Sequence, residues 1–240
     1  MKAAILFLAF LLAAPVAVGQ IMFVGASAEV DDNDVGPITP TLPSTTAGHV
    51  AILHTGGRTT GCAFAVAPGG EWNLEHQQAH ASGGSTAIFS RVLTGGDTNP
   101  TVSAPGTCNA LTAIVMTFSG VNGTTPFDVA EAFTNGASTT ATAPAITTVT
   151  ANTMVVRIFT NNAVTTPANF SAASEGATAY DGTNYDQRMA HGASYVALAS
   201  AGTTGTATMT LANSNQWQAI TLALRPASTG GLLLRRRREQ

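Results

Sequence analysis

Short apolar or alternating runs of five to eight residues recur along this chain, separated by clusters of Gly, Asn, Thr and Pro. In residues 206–211, hydroxyls occupy alternate positions, and Ala207, Met209 and Leu211 lie between them. This period of two predicts a strand with one buried face, because a helix would repeat every 3.6 residues. Residues 111–118 are apolar on both faces, which is typical of a strand inside a sandwich.

The same pattern predicts strands along the whole body of the chain. The predicted strands are residues 21–27, 49–55, 62–66, 86–93, 111–118, 153–159, 194–199, 206–211 and 217–224. Only residues 74–81 and 127–133 are compatible with a helical turn. Short strands at this spacing, with turn signals between them, are typical of a β-sandwich or a jelly roll. The sequence therefore predicts an all-β fold, an antiparallel β-sandwich of jelly-roll type.

The chain also resembles itself. Residues 46–52 match 150–156, and residues 113–118 match 219–224, at offsets of 104 and 106 residues. One interpretation is a repeat of two similar halves, 20–122 and 123–227, within one β-sandwich domain of residues 20–227. The other interpretation is a chance likeness between β segments of similar composition.

Composition changes the picture of the surface. The chain has 36 Thr and one Lys, and only 10% of its residues are charged, against about 25% in typical globular domains. Hydroxyls therefore replace charges over much of the predicted surface. Without residues 1–19 and 235–240, five basic and twelve acidic residues remain. An acidic body argues against nucleic acid as a partner, because phosphate binding needs a basic face.

Both termini differ from this body. Residues 1–19 combine Lys2, an apolar run and small residues before Gln20, as in a cleaved signal peptide. A short membrane anchor is the alternative, but the apolar run is shorter than the roughly 20 residues of a spanning helix, so no stable membrane span is expected. Residues 228–240 contain four consecutive Arg, and the sequence predicts a flexible basic tail there.

The two cysteines, Cys62 and Cys108, leave two alternatives open. If they pair, the disulfide closes a long loop and stabilises the fold by roughly 4 kcal/mol in the chain-entropy model. If they stay reduced, they are two free thiols. Two cysteines neither require nor exclude an oxidising compartment.

No catalytic motif is present. The chain lacks a Gly-x-Ser-x-Gly elbow and a P-loop. His76 and His80 have a helical metal-ligand spacing, but Gln77 stands where the zincin pattern needs Glu. We therefore predict no enzyme activity, no catalytic residues, no metal site and no cofactor.

Aromatic residues are the remaining candidates for binding. Trp72 follows a Pro-Gly-Gly-Glu turn, and residues 180–186 form a polar, turn-rich segment with two tyrosines. Loops of this kind often carry binding residues. The predicted ligand- or receptor-contacting residues are Trp72, Tyr180, Asp181 and Tyr185, and a plain solvated loop is the alternative for residues 180–186.

Five segments in the same order resemble a family of phage and prophage structural proteins. They are residues 23–27, 47–52, 68–72, 113–121 and 221–226, the last containing a closing Leu-Arg-Pro. The resemblance covers most of residues 21–227. It implies a β-sandwich in a virion, in a tail, fibre or surface decoration, and brings no catalytic residues with it.

These observations predict a non-enzymatic virion structural or adhesive protein. Its expected partners are other virion subunits or copies of itself in a homo-oligomer, with a cell-surface glycan as a further partner. The alternative is a secreted, extracellular bacterial module that binds carbohydrate or another surface, which the signal-like residues 1–19 favour.

Overall fold

The computed structural model of the protein describes residues 19–32, 36–80, 83–104, 108–162, 170–171, 173–181 and 189–228. The predicted signal segment before residue 19, the basic tail from residue 229 and Tyr185 lie outside the described residues. In the part described, no residue is helical, and no helix long and apolar enough to cross a membrane was found there.

Thirteen strands occur in the described residues. In chain order they are β1 (Met22–Ala26), β2 (Val30–Asp32), β3 (Val50–Gly57), β4 (Ala65–Ala67), β5 (Asn73–Ala79), β6 (Ser85–Val92), β7 (Thr101–Ser103), β8 (Leu111–Ser119), β9 (Ala132–Ala143), β10 (Thr153–Asn162), β11 (Ala177–Asp181), β12 (Met189–Leu198) and β13 (Ala207–Leu224).

These strands form two large antiparallel sheets. The first sheet has the order β1-β8-β3-β6-β5, and β2 also pairs with β8. The second sheet has the order β11-β12-β10-β13-β9. The two sheets share one buried apolar cluster. The predicted all-β, antiparallel sandwich is therefore confirmed.

The cluster between the two sheets, here called the interface core, explains why the central strands are apolar throughout. In β3, Val50 and Ile52 belong to this cluster, whereas Ala51 and Leu53 point into another cluster on the opposite face. Strands buried on both faces lose the alternation of half-buried strands. The members of the interface core are Ile21, Val50, Ile52, Ile88, Met116, Phe118, Val121, Met154, Val156, Ile158, Ala193, Ile220, Leu222 and Leu224.

Each large sheet has an outer layer on its other face. Over the first sheet lies the small sheet β4-β7, with Ile38 bridging to Val102 of β7. Over the second sheet, the early part of β13 pairs with the late part of β9. The first outer core includes Leu53, Phe64, Trp72 and Phe89, and the second outer core includes Phe159, Phe170, Met209 and Trp217.

Within the first half, the sequence of strands follows a jelly roll. If the segment at Ile38 counts as the second of eight strands, the large sheet contains strands one, eight, three and six, and the outer layer contains strands two, seven and four. This is the alternation between two sheets that defines a jelly roll. The fifth strand, β5, departs from it by pairing with β6 in the large sheet.

The same strand register recurs in the two large sheets. Ile52 lies opposite Met116 in the first sheet, and Val156 lies opposite Leu222 in the second. These positions are related by the offsets of 104 and 106 residues that the sequence repeat shows. Hydrogen-bonding partners are not visible in a sequence comparison, so their agreement is independent support for a duplicated unit.

Local irregularities recur as well. The pairing of β5 with β6 shifts register between Leu74 and His76, and the pairing of β11 with β12 shifts between Thr178 and Tyr180, 104 residues later. The turn before β3 has Gly48 at φ 81°, and the turn before β10 has Asn152 at φ 59°. Asn tolerates this left-handed conformation better than most residues, so the turn survives without Gly.

The sequence pattern misread three segments. Residues 74–81 were compatible with a helical turn, but 73–79 form the edge strand β5, so His76 and His80 do not share a helix face. Residues 127–133 contain a β-bridge at Phe127 and the start of β9. Strand β9 was not predicted, because its Ala, Thr, Ser, Asn and Gly residues give little hydrophobic contrast.

Cys62 and Cys108 form a disulfide beside the end of β3. Both cysteines are buried in the first outer core. Gly57, the last residue of β3, lies so close to both sulfur atoms that a Cβ at this position would overlap them. The strand end and the disulfide are therefore packed as one unit.

We expect Gly136→Ala to destabilise the second half. Gly136 lies opposite Trp217 in the β9–β13 pair, and a Cβ there would collide with the indole ring. The ring cannot move freely, because it is 7% exposed and its Nε1 donates to Ser138 Oγ at 3.0 Å. Overpacking of this kind costs about 1–3 kcal/mol, measurable by urea unfolding followed by tryptophan fluorescence.

The control is Gly69→Ala, because a Cβ at Gly69 meets no atom within 4 Å and its backbone is not left-handed. An equal loss of stability in both variants would contradict the assigned contact between Gly136 and Trp217.

Candidate functional site

The structure places Trp72 inside the protein. Its side chain is 8% exposed and belongs to the first outer core, and its buried Nε1 has no hydrogen-bond partner. Tyr180 lies on the other face of the first sheet, against the interface core. The structure therefore does not bring Trp72 and Tyr180 together in one aromatic platform.

Tyr180 is directed inward from the edge strand β11. Its hydroxyl lies 2.6 Å from Nδ1 of His54, which is on β3 of the other sheet. The backbone of Asp181 pairs with Gly192 at the end of β11. Tyr185 lies outside the described residues, so the ligand role predicted for this segment stays a prediction.

The partner of Tyr180 belongs to a group of buried histidines between the two sheets. His54, His80 and His191, here called the histidine seam, are 0%, 3% and 0% exposed. His54 lies in β3, His80 directly follows β5, and His191 lies in β12. The rings of His54 and His191 stack with their centroids 4.1 Å apart. The seam therefore continues the interface core with polar groups.

The hydrogen bonds of the seam connect the two halves reciprocally. His54 of the first half reaches Tyr180 and, through Nε2, Thr160 Oγ1 at 2.5 Å in the second half. His191 of the second half reaches back through Nε2 to Thr112 Oγ1 at 2.7 Å. Hydroxyl groups both donate and accept, so they suit a neutral imidazole, which has one donor and one acceptor nitrogen.

Two ring nitrogens in the seam lack partners. His80 Nε2 is 2.7 Å from Thr86 Oγ1, but Nδ1 of His80 is buried without a hydrogen bond. Nδ1 of His191 is also buried and unpartnered. A buried polar group without a partner is unfavourable, and a buried charge without one is far more so.

Burial lowers the pKa of all three imidazoles. It lowers the pKa of His80 to about 4 and, with a contribution from nearby His80, the pKa of His191 to about 3. Burial, with repulsion from the other histidines, also lowers the pKa of His54 well below its ordinary value. The seam is therefore neutral at physiological pH.

His76 differs from the seam because it has an acidic neighbour. Its Nδ1 is 3.5 Å from Glu131 Oε1, and its Nε2 is 3.3 Å from Gln218 Oε1, both in the second half. Phe133 packs against the ring with centroids 4.8 Å apart. His76 is thus the fourth buried histidine at the junction of the halves, but it has a counter-charge available.

A buried carboxyl group lies at the margin of the seam. Part of Glu29 is exposed, yet both its carboxyl oxygens are buried and have no hydrogen-bond partner. Burial, together with nearby Asp31, raises the pKa of Glu29 to about 8. Burial and the proximity of Glu29 raise the pKa of Tyr180 well above its usual value. Glu29 therefore keeps its proton at neutral pH in the folded protein.

This arrangement is a buried polar contact between the sheets that uses uncharged imidazoles. Among the described residues, no three His, Cys, Asp or Glu side chains come close enough together to hold a metal ion. Sequence reasoning missed the seam, although one signal was available. His54 interrupts an otherwise apolar run in a predicted strand, which indicates a polar group that needs a buried partner.

A separate cavity of about 320 Å³ lies at one end of the sandwich. It is bordered by Gln20 and Ile21 and by the ends of β10 and β12, including Asn152 and Thr153. The Thr153 hydroxyl is buried there without a partner. The lining is uncharged, with amide and hydroxyl groups beside apolar carbon, so the cavity suits a neutral polar ligand better than an ion.

Comparison with known proteins gives little further information. No family model and no curated protein matches the chain. Among solved structures, the chain is similar to the crystal structure of the STIV major capsid protein, with 9% identity, 90% of this chain and 99% of that chain covered, and a TM-score of 0.26. A likeness at this TM-score supports no conclusion about function.

We expect Glu29→Gln to stabilise the protein at pH 8 and to have little effect at pH 4.5. The folded-state pKa of about 8 is above the ordinary 4.5, so the contribution of Glu29 to stability is fully present below pH 4.5 and is lost as the pH rises to 8. At 1.36 kcal/mol per pKa unit, the loss reaches at most about 5 kcal/mol. Urea unfolding at the two pH values measures it.

The measurement at pH 4.5 is the internal control for this variant. Equal effects of Glu29→Gln at pH 4.5 and pH 8 would show that the carboxyl group is not held protonated by burial.

Proposed function

We propose that this chain is a non-enzymatic structural subunit of a virion, in a surface part such as a tail, fibre or decoration. The main supporting observation is the doubled β framework. Two sheets with the same strand register pack face to face, and the buried polar groups between them are hydrogen-bonded mainly to each other. Such an arrangement serves packing and rigidity.

The segments that resemble phage structural proteins lie on this framework. Residues 23–27 include most of β1, residues 47–52 lead into β3, and residues 113–121 include the end of β8. In the closing segment, Arg225 Nε lies 3.3 Å from Asp128 Oδ1. Asp128 Oδ2 in turn accepts a hydrogen bond from the Val149 N–H at 2.7 Å. These contacts give Arg225 and Asp128 structural roles.

Exposed apolar side chains on edge strands favour assembly with further copies. Met22 on β1, Leu74 on β5 and Phe133 on β9 are 60%, 54% and 41% exposed. All three strands lie at the ends of large sheets, where one side of a strand has no neighbour among the strands that the structure describes. Unpaired edges with apolar side chains are common sites of subunit association.

We expect the purified protein to form a trimer or a larger oligomer by light scattering and native mass spectrometry. Leu74→Lys should raise the dissociation constant at least about tenfold, because a desolvated charge at a subunit contact costs more than 1.4 kcal/mol. The matched control is Val149→Lys. Val149 is 68% exposed but lies in a turn outside the strands. A wild-type monomer at all concentrations would count against the virion role.

A secreted bacterial module that binds carbohydrate or another surface is the second candidate. Two observations favour it, namely the Cys62–Cys108 disulfide, since disulfides persist in oxidising compartments, and the neutral polar cavity beside Asn152. Asn152→Gly keeps the left-handed backbone permitted while removing the amide.

For this candidate, a glycan array should retain the wild type, and Asn152→Gly should bind at least about tenfold more weakly. The control is Gly69→Ala, because Gly69 does not line the cavity. Absence of retention on every glycan, together with a stable oligomer, would leave only the virion proposal.

A further inference from the structure

The interface between the two halves contains two kinds of contact. Its larger part is the interface core, which is apolar, and the other part is the histidine seam. We propose that the seam makes this interface an acid-operated joint: below about pH 5 the two large sheets separate, while each half keeps its own outer core. The inference concerns the isolated chain and is independent of any assembly that the chain enters.

At neutral pH the seam holds the halves together. The bonds from His54 to Tyr180 and Thr160, and from His191 to Thr112, all cross from one half to the other. The bonds to Thr160 and Thr112 connect inner strands of the two sheets, and the bond to Tyr180 reaches the edge strand β11. A neutral imidazole satisfies these hydroxyls, so the closed interface needs uncharged histidines.

Protonation of the seam histidines makes them incompatible with the closed interface. The stacked rings of His54 and His191 are only 4.1 Å apart, so a charge on each would produce strong repulsion in a site excluded from water. A proton added at the Nδ1 atoms of His80 or His191 would have no acceptor, because both atoms are buried without partners. Separation of the sheets lets water solvate these charges.

The ionisable groups around the seam do not neutralise it. Glu29, which contributes to the raised pKa of Tyr180, is itself protonated in the closed form. Nearby Asp31 contributes to the raised pKa of Glu29. Glu131 lies beside His76. Burial raises the pKa of Glu75, and the nearby carboxylate of Glu131 contributes to this increase. The acidic side chains at this junction are therefore either protonated at acidic pH, or they lie beside His76 and not beside the seam.

These groups also set the pH range of the opening. A seam histidine is neutral in the closed form and titrates near 6.5 when solvated, so each favours the open form about tenfold per pH unit below 6.5. This effect continues down to the closed-state pKa of about 4 for His80 and about 3 for His191. Glu29 opposes opening as the pH falls from 8 to 4.5, and below 4.5 its stabilisation of the closed form stays at its full value without further pH dependence. The net transition is thus steepest in the lower part of the range.

The outer cores have no comparable weakness. Both are clusters of buried apolar side chains. The first is closed by the Cys62–Cys108 disulfide, and the second contains Phe159, Phe170 and Trp217. Loss of the joint therefore leaves each half with an intact apolar core.

Methionine oxidation can distinguish opening of the joint from unfolding. Met116 is 0% exposed in the interface core, Met209 is 0% exposed in the second outer core, and Met22 is 60% exposed. The full-length protein is treated with hydrogen peroxide at pH 7, 5.5 and 4, and sulfoxide is quantified by peptide mass spectrometry. At each pH, the oxidation rates of Met116 and Met209 are divided by the oxidation rate of the exposed Met22.

We expect oxidation of Met116 to accelerate at least about tenfold between pH 7 and pH 4, while Met209 changes by less than about twofold. Simultaneous acceleration at Met116 and Met209 would indicate global unfolding and would overturn the proposal. Continued protection of Met116 at pH 4 would overturn it as well.

Variants test whether the histidines are responsible. His80→Gln combined with His191→Gln places an amide near the Nε2 positions that contact Thr86 and Thr112, but the amide does not titrate. This double variant should open at least about one pH unit lower than the wild type. His49→Gln is the control, since His49 contacts Ser44 near the start of β3 and lies outside the seam.

A second variant covers the case in which the double variant does not fold. His54→Ile introduces the residue found at the corresponding position of the second half, Ile158, which is already compatible with a buried site. Opening of either folded variant at the wild-type pH would overturn the assignment to the seam.

Discussion

The rest of the structure depends on the face-to-face packing of the two large sheets. Ile52 and Met116 from the first sheet meet Val156 and Leu222 from the second in one buried cluster. Burial of such side chains contributes about 1.5–3 kcal/mol each. Since both sheets use their central strands for this contact, strand pairing within each sheet and packing between the sheets support one another.

A polar region in the same interface gives it specificity. Apolar side chains tolerate sliding, because dispersion contacts are not directional. Hydrogen bonds such as those between His54 and Thr160 and between His191 and Thr112 are directional. In the first bond the histidine belongs to the first half, and in the second bond it belongs to the second half. We infer that the seam fixes the relative position of the sheets. The dependence on neutral imidazoles is a physical consequence of this arrangement.

Because one strand register recurs in both sheets, the packing within each half is distinct from the packing between the halves. Each half has an outer core of its own, with Trp72 in the first and Trp217 in the second. The interface between them resembles the isologous contact of a dimer whose subunits have been joined in one chain. The two halves differ at this interface, where His54 in one half corresponds to Ile158 in the other.

Strand positions were predictable wherever hydrophobic contrast was strong, as in β8 and β10. They were not predictable in β9, where Ala and Thr alternate with little contrast. The binding residues were harder to predict. Trp72 follows a turn and suggested an exposed ring, but the outer layer over the first sheet buries it. A turn-rich neighbourhood does not reveal whether a distant segment covers the side chain.

The sequence by itself determined the all-β class and the central strands, because periodicity and composition are local properties of the chain. Only the tertiary structure decided which faces meet and which polar groups are paired. His54 contacts Thr160 and Tyr180, which are 106 and 126 residues away. No local pattern records such partners, because they are set by how two complete sheets pack together.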